Sequence, residues 1–344
     1  MSIFMEERHD MAGESYVNHE ILAAFARDRV NVPKEEAKDR RRQVNHLRER
    51  LEGYIAAHPD FNLVKLRASG STAKHTAIRR RKGEGSDADV AAYVRVADPD
   101  VDEASLLEWL QERCIEVYGK TKVADDFVIS HHAVGITLRG SGLKIDVVPV
   151  LYTGEPDDKG YLVTRQGTRV LTSVTLHLKF IEKRKKPDAA GPGYTELIRL
   201  LKAWIRESKR IDGDLRCKSF LLELLVAHLW ETGWNGEPLQ VNDYPRAIEQ
   251  VLSYIAMTGL KTPIVFTDYY AADAVSESWE PIQVWDPVNP GNNVASTYTE
   301  RDRQRLVEHA NTALETIAWA AGAPTKGEAN SAWRELFGPA FQGA

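Results

Sequence analysis

The sequence has little cysteine, no large excess of charge of one sign and no long apolar runs. Its 344 residues include 2 cysteines, Cys114 and Cys217, which are far apart and have no cluster of other thiols beside them. This excludes a disulfide framework and a zinc site, and we expect a reducing compartment. The 50 acidic and 45 basic residues give a formal net charge of −5, which argues against a globally basic coat for nucleic acid.

Targeting and membrane-spanning patterns are also missing. Residues 1–16 are mostly polar and charged, and they contain no apolar core of signal-peptide length. No window approaches the roughly 20 consecutive apolar residues that a membrane helix needs. We therefore expect a cytoplasmic protein without a membrane partner.

The chain does have ample material for a folded core, since 43% of its residues are hydrophobic and its length suits roughly two domains. Short apolar runs alternate with helical patterns up to about residue 160, after which the pattern is mostly helical. We predict an α+β fold with a mixed sheet and helices in residues 1–165. A helical lobe is predicted for residues 166–344, with a cleft between the two lobes.

The individual elements follow from the spacing of the apolar residues. Helical spacing predicts helices at residues 21–30, 34–57, 105–118, 197–204, 220–228, 248–255 and 303–318, and a helical turn at 72–78. Short apolar runs predict strands at residues 61–67, 88–94, 127–129, 133–138 and 143–150.

Three acidic residues and a Gly-Ser pair stand out at the ends of these elements. Gly70 and Ser71 lie where a predicted strand gives way to a predicted helix. Asp87 and Asp89 open the next strand, and their i, i+2 spacing points both side chains to one face. Asp146 interrupts an otherwise apolar strand, where a carboxylate is costly unless it is paired or binds a cation. The sequence therefore predicts a site built from three carboxylates.

Such a site suits nucleotidyl transfer. Oxygen-only ligands favour Mg²⁺, which takes its remaining ligands from water and substrate phosphates. Two Mg²⁺ ions, with Mn²⁺ as an alternative, can activate a hydroxyl and neutralise a leaving pyrophosphate. The backbone N–H groups of Gly70 and Ser71 would cradle phosphates. Each motif alone has an ordinary structural explanation, as a turn or a solvated strand end, and it is the ordered combination that indicates the chemistry.

These motifs resemble those of the DNA polymerase β-type nucleotidyltransferase superfamily, and the whole chain resembles the bacterial cGAS/DncV-like nucleotidyltransferases (CD-NTases) of CBASS anti-phage defence. The resemblance is carried by residues 68–78 (ASGSTAKHTAI), 140–150 (GSGLKIDVVPV) and 286–295 (DPVNPGNNVA). Residues 25–63 and 336–343 resemble the HORMA-associated, CdnC-like clade.

The resemblance implies a polymerase β-like nucleotidyltransferase lobe followed by a helical lobe. It assigns catalysis and metal binding to Asp87, Asp89 and Asp146, with Asp146 helping to deprotonate the attacking ribose hydroxyl. It places the donor triphosphate at Gly70 and Ser71, with further contacts from Lys202 and Ser219. The segment of residues 286–293 would lie near the nucleobase pocket.

The resemblance also implies an activity and partners. The enzyme would join ATP through 3′–5′ bonds and close the product into a cyclic oligonucleotide, cyclic tri-AMP, as a second messenger. A HORMA-domain protein would activate it, and DNA is an optional component of the activated complex. Two alternatives stay open: a nucleotidyltransferase that modifies tRNA or a small molecule, and a catalytically silent nucleotide-binding scaffold.

Several features depart from the family pattern or have ordinary explanations. His75 stands where the family commonly has glycine, and we interpret it as a surface residue. The basic runs at residues 40–42, 79–82 and 183–186 are expected to be solvated faces, although a phosphate role is favoured for 79–82, which lies between two catalytic motifs. His131 and His132 are interpreted as structural.

Overall fold

A computed structural model describes residues 16–55, 57, 61–81, 86–96, 103–119, 121–154, 156–163, 169–185 and 191–343. The helices are α1 (His19–Phe25), α2 (Lys34–Ile55), α3 (Gly70–Ala73), α4 (Glu103–Tyr118), α5 (Val174–Lys185), α6 (Gly191–Ile211), α7 (Ser219–Thr232), α8 (Tyr244–Thr258), α9 (Glu300–Ala321) and α10 (Lys326–Phe337). The strands are β1 (Phe61–Ser69), β2 (Ser86–Val96), β3 (Phe127–Ile129), β4 (Val134–Leu138), β5 (Leu143–Tyr152), β6 (Gly160–Val163) and β7 (Arg169–Thr172).

The strands form one mixed sheet in the order β1-β2-β5-β4-β3. Strands β2 and β5 run parallel, whereas β1 with β2, β3 with β4 and β4 with β5 pair antiparallel. Strand β6 pairs with the end of β5 beyond β4, and β7 pairs with β6. The predicted α+β fold with a mixed sheet is confirmed.

Buried apolar residues alternate with partly exposed residues along β5, which gives the sheet one apolar face. Leu143, Ile145 and Val147 are buried in a core that the sheet shares with α2 and α4. Burying one such side chain contributes about 2 kcal/mol, so this face anchors the strand. Lys144 and Asp146 occupy the alternate positions and are turned to the opposite side of the sheet.

Helix α2 covers the apolar face with a stripe of side chains. Its buried residues recur every three or four positions, which is the spacing of one helix face: Arg40, Val44, Leu47, Leu51 and Ile55.

A second, larger core lies among α6, α7, α8, α9 and α10. Leu22 and Phe25 of α1 belong to this core, and the Phe25 ring lies 5.0 Å from Phe337 and 5.2 Å from Phe341. The first helix therefore packs on the C-terminal helices and not on the sheet. The division into residues 1–165 and 166–344 stays a prediction. No helix within the described ranges is both long and apolar enough to cross a membrane.

The structure differs from the predicted elements mainly in short or weakly patterned segments. Strands β6 and β7 fall in the region that we expected to be mostly helical, and α5 and α10 were not predicted. The expected helical turn at residues 72–78 is instead the short helix α3, and Ile78 makes a bridge with Asn31. Strands of four residues carry too little alternation to be detected.

The interpretation of the basic runs as solvated faces is wrong for two arginines. Arg40 is 5% exposed and pairs with Glu36, and Arg184 is 1% exposed. The Arg184 guanidinium stacks 3.6 Å from the centre of the Phe180 ring, and its Nη2 lies 3.0 Å from Asp268 Oδ2. A buried guanidinium needs such a paired acid, which is four residues away for Arg40 and 84 residues away for Arg184.

His75 is exposed and adopts the left-handed backbone conformation, with φ of 60°. Its carbonyl oxygen accepts a hydrogen bond of 2.6 Å from Arg199 Nη1, which holds the turn in place. A residue with a Cβ is strained in this region by about 1 kcal/mol, whereas glycine is not. This strain explains why glycine is common at the corresponding family position.

We predict that replacing His75 with glycine stabilises the protein. The expected gain in the free energy of unfolding is up to about 1 kcal/mol, reduced by the entropy that glycine adds to the unfolded chain. Chemical denaturation of the wild type, His75→Gly and His75→Ala measures it. Alanine keeps the Cβ and should bring no gain, so equal stabilisation by both variants would contradict the explanation.

Candidate active site

The parallel pairing of β2 and β5 brings two predicted acids side by side. In its register Asp89 lies directly opposite Asp146, and Asp87 lies opposite Lys144. Neighbouring residues in register point to the same face of a sheet, so these four side chains share the face away from α2 and α4. The structure thus brings together the acids that the sequence separates by more than fifty residues.

The electrostatics of this acid pair favour a cation. Burial raises the pKa of Asp89, and the nearby charges of Asp146 and Asp87 raise it further. Asp146 Oδ1 is buried and has no hydrogen-bond partner among the described residues, although Lys144 Nζ lies 3.1 Å away. Oxygen donors of this kind fit a hard divalent cation, which would stabilise both charged forms.

Asp87 is held differently from the other two acids. It lies on the same face, but its carboxylate pairs with the Arg80 guanidinium, and half of its side chain is exposed. Among the described residues, no three His, Cys, Asp or Glu side chains are gathered closely enough to hold a metal ion as they stand. Asp87 would therefore have to leave Arg80 before it could join Asp89 and Asp146 at one cation.

Two glycines make room for the acids. Gly70 has φ of +66°, and a Cβ added there would lie 1.8 Å from Asp89 Oδ2. On β4, a Cβ at Gly135 would lie 3.0 Å from Asp146 Oδ1 and 2.6 Å from Lys144 Cε. The Gly-Ser turn therefore packs directly on the Asp89 carboxylate. Any residue other than glycine at position 70 would displace this carboxylate.

A cavity of about 320 Å³, the basic cavity, opens on one side of this turn. It is lined by the loop after α3, by Asp87 and by residues of α6 and the start of α7. Ser71, Lys202 and Ser219, which were predicted to contact triphosphate, all line it. Its cationic side chains come from both lobes: Arg40, Arg80, Lys202, Arg206, Lys209 and Lys218. This is a suitable environment for a polyanion.

Lys202 is held by a buried network that sequence reasoning missed. Its Nζ donates to Glu223 Oε1 at 2.7 Å and to the Thr76 carbonyl and hydroxyl oxygens at 3.0 Å. Glu223 also accepts from Thr76 Oγ1 at 2.6 Å and from Lys74 Nζ at 3.1 Å. Burial opposes its ionisation, but the two lysines and these hydrogen bonds lower the pKa of Glu223 to about 2. A lone acid in the apolar run of residues 220–226 was the available signal.

A second cavity of about 260 Å³, the apolar cavity, lies on the other side of the Gly-Ser turn. Gly70 and Asp89 form one end, and aliphatic side chains such as Val150 and Leu162 form the walls. His132, which we interpreted as structural, and His177, which was not singled out, also line this cavity.

The predicted nucleobase segment reaches this cavity through His177. Asp286 is buried, and its Oδ1 lies 2.8 Å from His177 Nε2. Burial would raise the pKa of Asp286, but His177 and hydrogen bonds from Val288 and Asn292 hold that pKa below its usual value. Nothing in the sequence links positions 177 and 286, which are 109 residues apart.

Paired carboxylates at a Gly-Ser turn, between a basic and an apolar cavity, are what a nucleotidyltransferase of the polymerase β type requires. Comparison with known families agrees. Residues 17–171 match the Second Messenger Oligonucleotide or Dinucleotide Synthetase domain, and residues 162–334 match domain 2 of 2′-5′-oligoadenylate synthetase 1, at its C-terminus.

Individual relatives show which family of nucleotidyltransferases the chain belongs to. A cyclic AMP-AMP-AMP synthase of Escherichia coli (strain MS 115-1) is 39% identical over 95% of this chain and 99% of its own length. A CBASS oligonucleotide cyclase, CdnC, of E. coli strain KTE188 is 30% identical over 91% of this chain and 94% of its own. The chain therefore belongs to the CD-NTase family of CBASS oligonucleotide cyclases, and the recognition from sequence motifs is confirmed.

Solved structures agree with this assignment. The structure of E. coli MS115-1 CdnC with ATP is 38% identical and covers 95% of this chain and 100% of its own, with a TM-score of 0.85. Vibrio cholerae DncV with a linear intermediate is 12% identical and covers 95% of this chain and 97% of its own, with a TM-score of 0.67. The second similarity shows the shared nucleotidyltransferase fold.

The close packing of Gly70 on Asp89 generates a prediction. Gly70→Ala should abolish activity because its Cβ would displace the Asp89 carboxylate. The matched control is Gly142→Ala, because Gly142 has φ of +70° and a Cβ there would meet nothing within 4 Å. Both variants share the backbone strain, so only the first should lose nucleotide turnover. Equal activity losses in the two variants would show that strain, and not contact with Asp89, is responsible.

The buried Glu223 network generates a second prediction. Glu223→Gln leaves the buried Lys202 and the partly exposed Lys74 without their counter-ion and should lower the free energy of unfolding at pH 7 by about 3 kcal/mol. Because the folded-state pKa is depressed, the contribution of Glu223 is present above pH 4.5 and is lost as the pH falls towards 2. The difference between wild type and variant should therefore shrink across that range.

Denaturant titrations at several pH values measure this difference. Glu249→Gln, at an exposed position on α8, is the control and should change stability little at any pH. A pH-independent loss in Glu223→Gln would mean that packing, and not charge, accounts for the effect.

Proposed function

We propose that this oligonucleotide cyclase joins ATP through 3′–5′ phosphodiester bonds and releases cyclic tri-AMP as an anti-phage second messenger. The observation that carries the proposal is the pairing of Asp89 with Asp146 on adjacent strands, with Asp89 lining the apolar cavity and Asp87 lining the basic cavity. The name of the 39% identical relative, cyclic AMP-AMP-AMP synthase, supports this product.

Asp87, Asp89 and Asp146 are proposed as the catalytic acids and as the ligands of two Mg²⁺ ions, with Mn²⁺ as an alternative. When bound, these ions supply positive charge that activates the hydroxyl and stabilises the pyrophosphate leaving group. Asp146 Oδ1, which is buried and accepts no hydrogen bond from the part of the chain that the structure describes, is the proposed acceptor of the proton of the attacking ribose hydroxyl.

Gly70, Ser71, Lys202 and Ser219 are proposed to bind the donor triphosphate in the basic cavity. Ser71 and Ser219 offer hydroxyl groups, and Gly70 lets the backbone approach closely. Lys202 contributes positive charge from a fixed position, because Glu223 and Thr76 hold its ammonium group. Positioning and electrostatics of this kind account for most catalysis of phosphoryl transfer.

A HORMA-domain protein is proposed as the activating partner. The support is the solved complex of E. coli MS115-1 CdnC with HORMA-deltaN, whose cyclase is 38% identical to this chain and has a TM-score of 0.85. DNA is proposed as an optional component of the activated assembly.

The test is product analysis with the full chain. The protein is incubated with four labelled NTPs, Mg²⁺ or Mn²⁺, and a HORMA-domain partner, with and without DNA, and the products are identified by mass. Cyclic tri-AMP should form, and Asp89→Asn and Asp146→Asn should each reduce it at least about a hundredfold. Asp273→Asn, at an exposed position, is the control and should retain full activity.

Other outcomes identify the alternatives. A phosphatase-sensitive linear product or a mononucleotide adduct would favour modification of tRNA or a small molecule. Undiminished product from both acid variants would refute the catalytic assignment. ATP binding without any nucleotide product, with the partner present, would favour a silent nucleotide-binding scaffold.

A further inference from the structure

His177 stands at the wall of the apolar cavity, on the first turns of α5, and has a fixed orientation. We infer that His177 determines base specificity by accepting, through Nδ1, a hydrogen bond from the exocyclic amine of an adenine bound in this cavity. This inference rests on the proposed function, because it assumes that the cavity takes the base of an ATP substrate.

The first support is the division of the site into two chemically different cavities. The basic cavity is lined by six lysine and arginine side chains and by Ser71, which suit a triphosphate, whereas the apolar cavity has Lys74 among its lining residues. The apolar cavity is lined by aliphatic side chains, including Val148, Val150 and Leu162, which suit the flat surface of a base. Asp89 lines the apolar cavity and Asp87 the basic one, so a nucleotide could span both beside the acids.

The second support is the way in which the His177 ring is held. Its Nε2 lies 2.8 Å from Asp286 Oδ1. Asp286 is itself buried, and its carboxylate also accepts hydrogen bonds from the backbone N–H of Val288 and from the side-chain amide of Asn292. The ring also makes an edge contact with Phe220, with centroids 5.5 Å apart. An ionised Asp286 keeps the hydrogen on Nε2, because a carboxylate can only accept.

The remaining ring nitrogen, Nδ1, carries a lone pair and can accept a hydrogen bond when the ring is neutral and its hydrogen is on Nε2. It makes no hydrogen bond within the described part of the chain, and His177 lines the cavity. An acceptor in an apolar wall favours a base with an amine there over one without it, since an unmatched polar group is left unpaired.

Equilibrium binding tests this separately from catalysis. The dissociation constants of the full chain with Mg²⁺ are measured for 3′-deoxyadenosine triphosphate and for its analogue without the 6-amino group. Neither ligand can be extended, so the measurement does not depend on turnover. The wild type should bind the ligand that carries the 6-amino group about tenfold more tightly, which is the difference expected from one hydrogen bond.

His177→Phe keeps an aromatic ring but has no hydrogen-bond acceptor. The ratio of its two dissociation constants should therefore be close to one. His177→Asn, whose side-chain oxygen can replace Nδ1 as acceptor, should restore part of the preference for the 6-amino group. His309→Phe is the matched control, because His309 Nε2 also pairs with an aspartate, Asp212, at 3.2 Å, but lines neither of these cavities. It should keep the full preference.

The ratio of the two constants is insensitive to a general loss of folded protein, since both ligands use the same sample. An unchanged preference in His177→Phe, or a wild type without preference, would overturn the inference. A His177-dependent preference in a protein that makes no oligonucleotide would leave the inference standing and refute the proposed function.

Discussion

The active site depends on holding two carboxylates beside each other on parallel strands. Asp89 and Asp146 repel each other when both are charged. Burial together with this repulsion raises the pKa of Asp89. The opposite face of the same strands offsets the cost, because Val90, Ile145 and Val147 are fully buried against α2 and α4. The acids therefore stay in place because the apolar core fixes the register, and a bound cation would reduce the repulsion between them.

The helical lobe completes the site through charge and not through apolar contact alone. Glu223 of α7 binds Lys74 from the sheet lobe and Lys202 from α6, and so joins the two lobes at a buried point. Nearby, Arg81 pairs with Glu207 of α6 at 2.6 Å, and Arg206 donates to the Arg79 carbonyl. The loop that carries the basic run is therefore anchored to the helical lobe, which orients positive charge towards the basic cavity.

What sequence reasoning could and could not reach follows from the range of the interactions. Local periodicity identified β2, β5 and the shared face of Asp87 and Asp89, because apolar and polar side chains alternate between consecutive residues of a strand. The partner of Lys202 and the contact of His177 with Asp286 depend on how distant segments pack. Arg80 is only seven residues from Asp87, but periodicity does not mark their pairing either. No single-sequence pattern encodes such pairs, although the lone Glu223 in an apolar run was a usable signal.

The close approach of Gly70 to Asp89 leaves no room for a larger residue in the turn that borders both cavities. Asp89 Oδ2 lies where a Cβ of residue 70 would be, so the turn sets the position of the acid relative to both cavities. In the proposed function, the triphosphate is held by the side chains of the basic cavity, whereas the base lies against the sheet and α5. Lys74 of the apolar cavity and Lys202 of the basic cavity nevertheless share Glu223 as their counter-ion. The residues proposed to bind the base can therefore vary separately from those proposed to bind the triphosphate, except at the turn, its acids and this shared counter-ion.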